Sequence, residues 1–276
     1  MKSGVLASAC AAVLVLVTCS GTLAGDLDRF LGAKGEIKIA GGTAHIPVMK
    51  EAARRIMTAN PDVRISIAGG GSGVGIKQVG EGLVDIGNSG RKPTDEEISR
   101  YGLHLFRWAT DGVGIIVHPG NGVRALTREQ VKGIFSGKVS NWKEVGGRDE
   151  RIDVYTRDES SGTREVFWKK ALDKGEISRK SNFVVSNGAM KSAISQDPYG
   201  IGYVSVGHID DSVVPVAFDG VAPTLQAVRN GRYPIARGLY SNTKGEPAGL
   251  TKTFIDYLFS AEGQRIAAEK GFVPVR

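Results

Sequence analysis

The 276 residues are 41% hydrophobic and 24% charged, with a formal net charge of +7, an ordinary globular composition with length enough for one large domain or two lobes. The positive balance comes without a basic run of five, an aromatic-rich strand motif or zinc-finger spacing, which disfavours nucleic acid and points to an anionic small ligand. The four histidines, His45, His104, His118 and His208, lack metal-ligand spacing, so no metal or other cofactor is implied.

The chain opens with Lys2 and a nearly uncharged run from Val5 to Thr18, and Thr22 and Ala24 form an A-x-A-like cleavage site before Gly25. Residues 1–24 therefore read as an export signal. Cleavage there removes both cysteines, Cys10 and Cys19, and leaves 35 basic against 29 acidic residues, a net of +6. The expectation is a soluble, disulfide-free chain in the periplasm. The alternative is a lipoprotein signal ending at Cys19, after Leu16-Val17-Thr18, which would tether the domain to a membrane.

From residue 36 the pattern is strand, loop, helix, repeated, which predicts a mostly parallel sheet with helices on its faces. EIKIAGG (36–42) runs into Thr43 and Ala44, after which Ile46, Met49, Ala52, Ala53 and Ile56 mark an amphipathic helix. His45 is expected as a partly exposed helix-start residue. VRISIA (63–68) leads into GGGSG (69–73), placing Ser72 in a turn where backbone can approach a ligand closely. GNSGRKPTDEE (87–97) offers Ser89 and Arg91 as donors. LHLFRWATDGVGIIVHPG (103–120) is too long for one ordinary strand, is interrupted at Asp111-Gly112, and is read as a crossover that carries Asp111 to the floor of a cleft.

The second half carries the clearest site. After the strand 152–156, RDESSGTREVF (157–167) places Ser161, Gly162 and Thr163 at a helix N-terminus, with Arg157 at the strand's end. Free N–H groups, the positive end of the macrodipole, two hydroxyls and a forked cation converge there on a single oxyanion. Helices near 127–135 and 188–195 and the strand 200–206 complete this lobe. The chain returns at YPIARGLYS (233–241) and ends in helices over 248–259 and 261–270. The expected division is residues 26–110 and 234–276 in one lobe and 111–233 in the other, with an anion bridging them and closing the hinge.

AGGTA (40–44), GGGSGVGIKQV (69–79), DIGNSGR (85–91), TDGVGIIVHP (110–119), RDESSGTREVF (157–167), GIGYVS (200–205), YPIARGLY (233–240) and SAEGQRIAAEKGFVPV (260–275) follow one another in a way that resembles the PstS-type phosphate-binding proteins of bacterial ABC transporters, across nearly all of the mature chain. The resemblance implies an α/β fold of two lobes joined by crossover strands, the type II periplasmic binding protein fold. It also implies reversible capture of inorganic phosphate by a monomer, delivery to ABC permease subunits, and no catalysis. Thr43, Ala44, Ser72, Arg157, Ser161, Gly162 and Thr163 correspond to phosphate-contacting positions. Larger family members carry an Asp in the third loop to accept the ligand's proton; aligned on Ser89, that position is Gly90 here. Asp111 is the nominated replacement, and Asp158 and Glu159 are expected to orient Arg157.

Rival readings are weaker. Ser89-Gly90-Arg91-Lys92 and Ser241-Asn242-Thr243-Lys244 satisfy the S-x-x-K pattern of some serine enzymes, but S-D-N, K-T-G and G-x-S-x-G are missing from the sequence. Sulfate, arsenate or molybdate remain alternative ligands of the same geometry. Trp108, Trp142 and Trp168 read as packing residues rather than a sugar platform.

Overall fold

A computed structural model describes residues 25–275; the export signal and its Cys19 alternative lie outside the described residues. The chain runs through β1 (Gly35–Gly41), α1 (Ile46–Ala59), β2 (Val63–Gly70), α2 (Ser72–Gly80), β3 (Ile86–Ser89), α3 (Asp95–Tyr101) and β4 (Leu103–Val117). Next come β5 (Ala125–Leu126), α4 (Arg128–Ser136), β6 (Asp153–Thr156), α5 (Gly162–Lys170), β7 (Asn182–Phe183), α6 (Asn187–Gln196), β8 (Gly200–Ser205), β9 (Val214–Phe218) and α7 (Leu225–Arg229). The described chain closes with β10 (Ala236–Lys244), α8 (Gly249–Leu258), α9 (Ala261–Glu269) and β11 (Val273–Pro274).

The main strand order is β2-β1-β3-β10-β4-β8-β6-β7. Its flanks are parallel, as expected, but β10 and β4 form an antiparallel centre. The expected break at Asp111-Gly112 does not occur, and β4 runs unbroken for 15 residues. Such a length holds together because the strand changes partners midway. β10 covers Leu103 to Gly112, and β8 takes over from Val113.

The apolar residues divide at the same place. Trp108 and Ala109 on β4 and Leu239 on β10 pack with Ile37, Met49 and Phe254 in one core, whereas Val113 and Ile235 pack with Phe135, Phe167 and Tyr203 in a second. Trp108 and Trp142 are buried in the two cores, and Trp168 packs against the second, consistent with their patterning as packing residues. Between the cores the loops that end β1, β2 and β6 face one another. α5 is fixed there because Phe167 stacks on Tyr203 of β8, with centroids 4.2 Å apart and planes 12° from parallel, a contact that sets where the helix N-terminus points.

Candidate functional site

The facing loops enclose a small cavity of about 180 Å³, walled on one side by Gly42, Thr43, Ala44, Gly71 and Ser72 and on the other by Arg157, Ser161, Gly162 and Thr163, with Gly90 and Arg237 completing it. Each loop reaches the cavity for a local reason. Gly71 holds φ at 93°, a left-handed value that suits glycine, and turns β2 into α2 so that Ser72 opens the helix. Ser161 is the N-cap of α5, its Oγ accepting from Arg164 N at 3.2 Å. Gly162 lets the walls meet, since a Cβ there would lie 2.1 Å from Ser72 Oγ.

The lining is made of donors. Ser72 Oγ accepts from Gly90 N (2.9 Å), and Thr43 Oγ1 accepts from Asn187 N (3.2 Å) and Nδ2 (2.9 Å). Thr163 Oγ1 accepts from Arg237 Nη1 (3.0 Å) and Asn187 Nδ2 (3.4 Å). A hydroxyl that already accepts from its surroundings has its proton left to give. Asp, Glu and His are absent from the lining.

Arg157 is the charged centre. It is buried, its Nη2 donates to Val185 O at 3.1 Å, and its Nε has no partner. No described carboxylate lies within ion-pairing distance of it. Burial pushes its pKa down, and the charge of Asp158 only partly opposes this. Asp158 does not orient Arg157: its Oδ1 accepts from Ser160 N and Oγ and closes that turn. A buried cation without a carboxylate partner, in an enclosed, donor-lined cavity, is costly unless an anion joins it.

Four residues stand elsewhere than the sequence reading puts them. Ser89 is buried at the end of β3, where its Oγ accepts from Asn242 Nδ2 (2.9 Å), outside the cavity lining. Arg91 also misses the cavity, because both its Nη atoms reach Glu97 at 2.7 Å and its Nε reaches Glu165 at 2.8 Å. Asp111 also stands outside the cavity lining. It pairs with Arg237, whose Nε donates to Oδ2 at 2.9 Å, while Ser205 Oγ donates to Oδ1 at 3.0 Å. Burial pushes the Asp111 carboxyl up, and Arg237 pulls against that. His45 is not partly exposed either: it lies inside the first core with its ring edge to Trp108 and its Nδ1 3.0 Å from Gly42 O.

Two residues of this site were missed. Arg237, inside YPIARGLY, also explains the glycine at the third loop. A Cβ on Gly90 would lie 2.7 Å from Arg237 Nη1, so the guanidinium fills the space that an acidic side chain would need. Asn187 opens α6 and meets hydroxyls from both walls. No local pattern singles out either residue, because their partners are distant in sequence.

Two cores joined by long shared strands around a donor-lined cavity define a protein built to enclose an anionic solute. Residues 31–262 match the model of the PBP superfamily domain. The phosphate-binding protein PstS of Bacillus subtilis is 40% identical over 246 residues, 88% of this chain and 82% of that protein. A structure from Clostridium perfringens, described as a phosphate ABC transporter substrate-binding protein with bound phosphate, superposes with a TM-score of 0.83 at 36% identity, covering 88% of this chain and all of the other. An ABC-type phosphate transport receptor from Vibrio cholerae gives 0.70 at 32% identity, over 86% of this chain and 99% of the other. The chain belongs to the PBP superfamily and, within it, to the PstS family of phosphate-binding proteins.

Proposed function

We propose that this protein binds one inorganic phosphate ion reversibly outside the cytoplasm and passes it to the permease of an ABC importer. The observation that carries the reading is Arg157, a buried guanidinium without a carboxylate partner, facing a cavity whose hydroxyls are turned to donate. Ser161, Gly162 and Thr163 add the N-terminus of α5, a nine-residue helix with its positive end on the ion. Thr43, Ala44 and Ser72 supply the opposite wall. The two bodies that close on the ion are residues 26–110 with 234–276 and residues 111–233. Export through residues 1–24 would deliver the chain to the compartment where such a receptor works.

Chemistry on the ligand is not part of the reading. A serine nucleophile needs a base to take its proton, and the hydroxyls of this cavity meet N–H donors instead. Calorimetric titration of the chain lacking residues 1–24 should show 1:1 binding of phosphate, with sulfate, arsenate and molybdate as comparison ions. Arg157→Ala should weaken phosphate binding by about 2–5 kcal/mol, the range for removing one partner of a buried charge pair, and Arg157→Lys should restore part of it. Near-normal affinity in a folded Arg157→Ala chain would remove the cation from the site and the reading with it.

A further inference from the structure

We infer that Asn187 is a positioning residue that fixes the hydroxyls of Thr43 and Thr163 as donors toward the bound anion, an inference that rests on the phosphate reading above. Asn187 is fully buried at the start of α6 and touches both walls of the cavity. The orientation of its amide follows from its surroundings: Oδ1 accepts from Ser205 N at 3.0 Å, so Nδ2 faces the threonines.

A hydroxyl has two acceptor sites and one proton. Both acceptor sites of Thr43 Oγ1 are filled, by Asn187 N at 3.2 Å and Nδ2 at 2.9 Å. Those of Thr163 Oγ1 are filled by Arg237 Nη1 at 3.0 Å and Asn187 Nδ2 at 3.4 Å. Each threonine then has only its proton to offer, and each lines the cavity. Ser72 and Ser161 differ, since each accepts one protein N–H and keeps an acceptor site. One NH₂ group thus sets the direction of a hydroxyl on each wall once the walls have met, so that both protons are held toward the ion. Thr43 follows β1 and Thr163 opens α5, so the arrangement exists only when the two walls are together.

The test is a double-mutant cycle read by calorimetry with phosphate and, separately, sulfate. Asn187→Leu in the unsubstituted chain should weaken binding at least tenfold. In a chain that already carries Thr43→Val and Thr163→Val, the same substitution should change affinity less than twofold, because the hydroxyls it directs are gone. Asn187→Ala, run through the same cycle, covers the case in which leucine does not fit. Equal losses in both backgrounds would overturn the inference and leave Asn187 as a support for Ser205 alone. Failure of the unsubstituted chain to bind phosphate would overturn the proposed function first, and this inference with it.

Discussion

Asp111 shows how a single contact decides a residue's role. Its carboxylate offsets the charge of Arg237 and accepts from Ser205, so its removal leaves a buried cation uncompensated. Asp111→Asn should therefore lower stability by about 3–5 kcal/mol, the range for breaking a buried pair, while strengthening the binding of phosphate and sulfate dianions together. A changed ratio of the two affinities, measured by competition calorimetry, would restore Asp111 as a reader of the ligand's proton. The buried imidazoles give a second expectation. Burial holds His45 at about 3 and His208, whose Nε2 lies 3.2 Å from Thr43 O, at about 4, against 6.5 when unfolded. Between those values the unfolded chain binds more protons, so stability is full above pH 6.5 and falls as the pH drops, by up to about 1.4 kcal/mol per pH unit for each imidazole. Urea unfolding at pH 7.5 and pH 5.5 tests this, and His45→Phe with His208→Asn should flatten the difference.

At the scale of elements, the meeting of α2 and α5 controls the cavity. Gly162 has no left-handed backbone to protect, so alanine there is conformationally acceptable, yet its Cβ would lie 2.1 Å from Ser72 Oγ and 3.3 Å from Gly90 C. Gly162→Ala should hold the walls apart, weakening phosphate binding at least tenfold while the thermal midpoint stays within a few degrees; unchanged affinity would show that Ser72 can rotate away without loss. The strand-to-helix turns at Thr43, Ser72 and Ser161 were legible because a strand's alternation, a glycine or hydroxyl turn and a helical period are all local signals. Arg91 is placed away from the cavity for a reason its local sequence does not carry. Its neighbourhood looks like a donor loop, and only the fold brings Glu165 to it, 74 positions along the sequence. The length of β4 was misread in the same way, since a strand of 15 residues is supported by β10 and then β8, neither of which is near it in sequence. The parallel flanks were readable and the antiparallel centre was not, because β10 enters the sheet from the far end of the chain.

For the molecule as a whole, polar contacts join the two walls at the rim of the cavity as well as inside it. Gly73 N donates to Ser160 O and Ser160 Oγ donates to Gly70 O, both at 3.0 Å, and Arg91 bridges Glu97 and Glu165 at the side of the cavity. A partly exposed ion pair such as Arg91–Glu165 is worth about 1 kcal/mol or less, and in the proposed function the ion adds whatever free energy its contacts with both walls supply. Small-angle scattering should accordingly show a smaller radius of gyration when phosphate saturates the protein. Within that closed form the Arg91–Glu165 bridge acts on escape rather than on capture, because it forms only after the walls have met. Glu165→Gln removes the charge but leaves Arg91 its two bonds to Glu97, so the structure around it should persist. Stopped-flow measurements should then find phosphate leaving about two- to fivefold faster, as loss of up to about 1 kcal/mol implies, with the association rate unchanged. A slower association with unaltered release would instead place the bridge in the open form, ahead of the ion.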